Sequence, residues 1–75
     1  MTPVHWVSTY DHESKEHISY AYVSDIKAVI ERLPAGWVVR IDGKWVARTA
    51  QGLRADFDSK DEALSFLTLL VSAGN

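Results

Sequence analysis

The stretch YDHESKEH, residues 10–17, gathers His12 and His17 with Asp11, Glu13 and Glu16. Imidazoles beside carboxylates can ligate zinc or exchange protons, so this is where chemistry would be sought first. Zinc needs several ligands converging at about 2.0–2.2 Å, held by a supporting layer of hydrogen bonds. His12 and His17 are five apart in a polar stretch, without the H-E-x-x-H spacing that puts two imidazoles on one helix face. Proton transfer at neutral pH also wants a buried pocket to tune a pKa. A charged loop offers water instead, so the expectation is a solvated hairpin tip, joined by His5 only if that residue shares its face. No serine sits in a G-x-S-x-G elbow. The four glycines are scattered and form neither a phosphate-binding loop nor a dinucleotide fingerprint. With no cysteine, thiolate chemistry and disulfides are excluded. The reading is a non-enzyme with no catalytic residue, metal or cofactor.

The elements around this loop follow from periodicity. PVHWVST sets Val4, Trp6 and Ser8 against His5, Val7 and Thr9, and HISYAYVS sets Ile18, Tyr20 and Tyr22 against Ser19, Ala21 and Val23. Both read as strands of one antiparallel hairpin. Ser24 and Asp25 then offer cap oxygens to a short helix, Asp25 to Leu33, with Ile26, Val29, Ile30 and Leu33 on one side. Pro34 stops it. LRADFD alternates Leu53, Ala55 and Phe57 inward with Arg54, Asp56 and Asp58 outward. SKDEALSFLTLLVSAG opens on a capping box, Ser59 with Glu62, and carries an apolar stripe of Ala63, Phe66, Leu67 and Leu70. Gly74 is placed to close that helix.

GWVVRIDGKWVARTA is a hairpin about Asp42-Gly43, and its register decides which side chains share a face. A two-residue turn pairs Ile41 with Lys44 and Val39 with Val46. A three-residue bulged loop pairs Arg40 with Lys44, placing Trp37, Val39, Trp45 and Ala47 on one face. Val38, Arg40, Lys44, Val46 and Arg48 then take the other. The bulged register is preferred for its cleaner division of apolar from basic. The expected architecture is a single α+β domain over residues 1–75, β-β-α-β-β-β-α. An antiparallel sheet of about five strands carries two helices on one face and leaves the other partly open.

Composition narrows the partners. Eight basic and ten acidic residues are mixed along 75 positions, a net charge of −2, with no basic block to neutralise phosphates. A hydrophobic fraction of 47% supports a packed core, though a chain this short buries only about 60–65% of its unfolded surface. No signal sequence or membrane span is read, so a cytoplasmic protein is expected.

Trp37, Val39, Gly43, Phe57, Ser59, Lys60, Glu62 and Ala63 form a W-x-V hairpin, a strand and an F-x-[ST]-K-x-E-A helix opening. Over residues 36–73 this resembles a small prokaryotic and phage domain family of uncharacterised function. The whole chain also resembles, in size and style, the cysteine-free α+β inhibitors that phages encode, anti-CRISPR proteins among them. That likeness implies a partner on a host machine and action by occupying its surface. From Ser24 to Ala73 the element order is similar to that of double-stranded RNA-binding domains. Their lysine cluster at the last helix is here SKDEA, in which Asp61 and Glu62 repel a phosphate backbone, so that route is rejected.

The expected working part is the open sheet face. Arg40, Lys44, Arg48 and Arg54, with Tyr20 and Tyr22 or Trp6, offer residue types that concentrate interface energy. The leading expectation is protein binding to a host protein or complex, by steric occlusion with this face and the Tyr10–His17 loop. Weak single-stranded nucleic-acid binding is the alternative, disfavoured by Asp42, Asp56 and Asp58. A homodimer through the open face is compatible with the sequence, and no membrane partner is expected.

Overall fold

A computed structural model describes residues 4–23 and 34–73. Five strands, β1 (Val4–Asp11), β2 (Glu16–Val23), β3 (Gly36–Ile41), β4 (Lys44–Thr49) and β5 (Arg54–Phe57), precede one described helix, α1 (Lys60–Ala73). The strands form one antiparallel sheet in the spatial order β1-β2-β3-β4-β5. The class is α+β. The expected first helix, Asp25 to Leu33, and the Gly74 cap lie outside the described residues. Among the described residues no helix is long and apolar enough to cross a membrane.

Period-2 alternation and the register together sort every strand residue onto one of two faces. Directly opposed residues share a face, so Trp6, Ala21, Gly36 and Thr49 lie on one, in a row across β1 to β4. Ser8, Ser19, Val38, Ala47 and Ala55 form the next row of the same face. Helix α1 packs here: Ala63, Leu67 and Val71 join Ala21, Val38 and Ala47 in one buried cluster. Trp6, Trp45, Phe57 and Phe66 pack around it, and the Phe57 and Phe66 rings meet at 5.2 Å. The small residues in the middle of this face let the helix come close.

The helix starts as its sequence requires. The Glu62 amide donates to Ser59 Oγ at 3.2 Å, and the Ser59 hydroxyl donates to Glu62 Oε1 at 3.2 Å. Such a cap is worth about 1 kcal/mol, and Asp61 and Glu62 in the first turn add a favourable dipole interaction. The buried stripe is Ala63, Leu67 and Val71, while Phe66 and Leu70 sit half-buried at its sides.

The β3–β4 turn corrects the preferred register. Asp42 and Gly43 both take left-handed angles, φ 51° and 79°, and Ile41 pairs with Lys44. This is the two-residue turn, whose twist matches that of the strands it joins. It sets Val38 opposite Ala47 under the helix, and sends Val39, Val46 and Trp37 to the far side. Every face assignment drawn from the bulged register therefore inverts along one arm. Leu53, expected inward, precedes β5 and is 59% exposed.

Candidate functional site

The far face of the sheet lies opposite α1 and carries most of the residues expected to meet a partner. Its central row runs Val7, Tyr20, Trp37, Arg48, Arg54, one residue from each strand in turn. The parallel row is Thr9, Ile18, Val39, Val46, Asp56, with Ile41 and Lys44 at one end and His5 and Tyr22 at the other. Tyr22, Val39 and Val46 are buried, Tyr20, Trp37 and Ile18 are half-buried, and Val7, Ile41, Lys44, Arg48 and Arg54 are exposed. Aromatic rings thus hold the centre of the row, with guanidinium groups toward β5.

Of the six residues expected to meet a partner, five share this face: Tyr20, Tyr22, Lys44, Arg48 and Arg54. Arg40 does not. It pairs with Trp45, on the helix side of the sheet, because the two-residue turn displaces it by one position from the bulged register. Trp6 is also on the helix side, packed against the core. Trp37, which is not among the six, stands in the middle of this face, and Val7 lies at its β1 edge. The Asp-Gly pair permits the shorter turn that places Trp37 here, since both residues tolerate positive φ, but does not by itself select it.

Electrostatics divides the basic residues. Lys44 is hydrogen-bonded and ion-paired to Asp58. Arg54 donates from Nε to Asp56 Oδ1 at 3.0 Å and from Nη2 to Oδ2 at 3.4 Å. The Asp58 carboxyl is held below the ordinary value by its hydrogen bond from Lys44, and Asp56 by its bond from Arg54. Conversely, the same bonds raise the Lys44 and Arg54 values. Among the described residues neither Arg48 nor Arg40 has an ion-pair partner. Among the described residues of the far face, Arg48 is therefore the cation without an ion-pair partner. Lys60 takes a different role, its Nζ 5.8 Å from the centroid of the Trp45 ring on the helix side.

The Tyr10–His17 loop resolves into a structural device. Asp11 organises it: its Oδ1 accepts from the Glu13 amide at 3.3 Å, and its Oδ2 from the Ser14 amide at 3.4 Å and hydroxyl at 2.8 Å. The Lys15 amide donates to the Asp11 carbonyl at 2.8 Å, and Lys15 takes φ 59° to complete the turn. The Tyr10 ring meets His12 and His17 edge-on at 5.0 and 5.1 Å. Among the described residues no three histidine, aspartate or glutamate side chains gather as a metal site would require.

The bond from the Ser14 hydroxyl, the largest cause, holds the Asp11 carboxyl below its ordinary 3.8. A carboxylate with a lowered folded-state pKa stabilises the fold above its unfolded value and loses that contribution as pH falls through the folded one. Carboxyl chemical shifts followed by NMR should therefore place the midpoints of Asp11, Asp56 and Asp58 below 3.8. Ser14→Ala should return Asp11 alone toward that value, and unchanged Asp11 titration would refute the loop description.

A second surface feature lies on the helix side. A cavity of about 310 Å³ is lined by Val23, Ala35, Thr49, Gln51, Leu53, Leu70 and Val71. It carries no ionisable side chain among these.

Compared with protein-family models, curated proteins and solved structures, the chain has no match in any of the three.

Proposed function

We propose that the chain is a non-catalytic protein-binding domain that works by covering a surface of a partner, as phage-encoded inhibitors such as anti-CRISPR proteins do to host complexes. The observation that carries this reading is the row Tyr20–Trp37–Arg48 on the far face. Tyrosine, tryptophan and arginine are the side chains on which interface energy concentrates, large and stiff enough to bury much area at little entropic cost. Here the backbone ladder holds them at adjacent positions on three central strands, already ordered before any partner arrives. Such preorganisation lowers the cost of binding.

The same face makes a poor track for phosphates. Lys44 and Arg54 are neutralised by Asp58 and Asp56, so among the described residues Arg48 has no row of free cations beside it. Sequence-independent nucleic-acid affinity grows with the number of phosphates neutralised, so the protein-binding reading is preferred.

The two arginines on opposite faces give a matched test. Arg48→Glu alters the far face, and Arg40→Glu makes the same charge change on the helix side. Affinity capture from host lysate, followed by titration of the captured protein, should show Arg48→Glu weakening binding by about tenfold or more, the cost of losing one interface anchor. Arg40→Glu should bind as the unchanged chain does. Equal loss in both variants, or capture unaffected by Arg48→Glu, would remove the far face from the account.

A further inference from the structure

The two edges of the sheet are built differently. Strand β5 is four residues long and carries Arg54 and Asp56, the protections by which natural sheets keep an edge from pairing. Strand β1 is eight residues long and has no lysine, arginine or proline from Val4 to Asp11. Charge enters only at its last position, Asp11, apart from any on His5.

Its outer backbone groups can be assigned from the ladder. The closing pair of a two-residue hairpin, Ile41 with Lys44, is hydrogen-bonded, and bonding direction alternates along each strand. Val38 and Gly36 therefore bond toward β2, and Ser19 and Ala21 toward β3. The Ala35 amide donating to the Ala21 carbonyl at 2.8 Å agrees with this direction. Tyr22, Tyr20 and Ile18 then bond toward β1, opposite His5, Val7 and Thr9. The N–H and C=O groups of Val4, Trp6, Ser8 and Tyr10 point away from the sheet, and no other described strand lies on that side.

We infer that this edge pairs with the same edge of a second copy, antiparallel about a two-fold axis at Val7. Face continuity requires paired residues of equal parity, and centring on Val7 sets Trp6 opposite Ser8 and Val4 opposite Tyr10 of the second copy. All four outward-pointing residues are then hydrogen-bonded, in both copies. Val7 and Tyr10, respectively 42% and 43% exposed in the single chain, gain apolar neighbours: Val7 meets its counterpart, and Tyr10 meets Val4. His5 falls opposite Thr9, and Asp11 lies beyond the last pair, so no like charges oppose. The result is one ten-stranded sheet. Its far face carries the row of Val7, Tyr20, Trp37, Arg48 and Arg54 twice, running outward from the axis.

This assembly is independent of what the far face binds, and its test reads only self-association. Sedimentation of the full chain across micromolar to millimolar concentration should show a species of twice the chain mass. Val7→Cys places two sulfurs at a non-hydrogen-bonded pair, whose Cα separation of about 4.5 Å falls within disulfide range. Mild copper-catalysed oxidation in air should therefore cross-link it. Thr9→Cys should not cross-link, because the two Thr9 positions lie about 13 Å apart in this register. Ser8→Pro removes an outward amide that β2 does not use, and should yield a folded monomer. A wild-type chain that stays monomeric, or equal cross-linking at both cysteine positions, would overturn the inference. So would an unrelated strand found on this edge in place of a second copy.

Discussion

Leu67→Ala is expected to destabilise the fold by about 3–4 kcal/mol, the middle of the range for emptying a leucine site in a packed core. Leu67 is fully buried, at the centre of the contact between α1 and the sheet. Gly36 lies against it, and the buried cluster includes Ala21, Ala47 and Ala63, which have no long side chains that could swing into the void. The loss should therefore stay above the collapsed end of that range. A domain of this length holds roughly 4–11 kcal/mol in all, so the variant should lose about a third or more of its stability. Urea denaturation followed by tryptophan fluorescence measures this directly. A loss below about 1 kcal/mol would mean that α1 is not seated where described.

Gly36→Ala is expected to be comparably damaging for the opposite reason. A methyl group at Gly36 would meet the Arg48 carbonyl oxygen at 2.5 Å and Leu67 Cδ1 at 2.9 Å. The leucine can rotate, but the carbonyl belongs to the β3–β4 ladder and moves only if the ladder does. Overpacking of this kind costs typically about 1–3 kcal/mol, and the backbone partner places this case at the upper end. Leu67→Ala removes only one of the two clashes, so combining it with Gly36→Ala should recover little. The residual coupling in that double-mutant cycle separates the carbonyl clash from the side-chain one. Full rescue would show that Leu67 alone enforces glycine.

Much of this arrangement is legible in the residue string because local rules and burial agree. The alternation in VHWVST and ISYAYV follows strands whose two faces differ, and Ser59 with Glu62 marks the start of α1 where the structure has it. The resolution fails at a single residue. Asp42 and Gly43 fit either a two-residue or a three-residue loop, and the division of apolar from basic favoured the latter. What decides is the helix: α1 needs Val38, Ala47 and Gly36 beneath it, small and apolar, and only the shorter turn supplies them together. That is a tertiary demand from residues 60–73, and nothing local to the hairpin carries it. Arg40 moved to the other side and Trp37 entered the far face for this reason alone. In Leu53 an apolar residue stood at the right parity one position before the strand begins, where parity no longer governs exposure.

The functional site was harder to read than the fold because it depends on that parity twice over. Tyr20 and Arg48 were singled out by type, yet what joins them is Trp37 between them. Its position follows from both the β2–β3 and β3–β4 registers. The ion pair of Lys44 with Asp58 links distant positions and so appears only once the strands are assembled, whereas Arg54 and Asp56 are same-face neighbours within β5.

Each strand lies beside its neighbour in the chain, and the helix that covers them follows all five. Vectorial synthesis on the ribosome therefore delivers the whole meander before its lid. Until α1 docks, the patch around Ala21, Val38 and Ala47 lacks the cover that α1 supplies, and a chain whose sheet forms first is a sticky intermediate that chaperones must shelter.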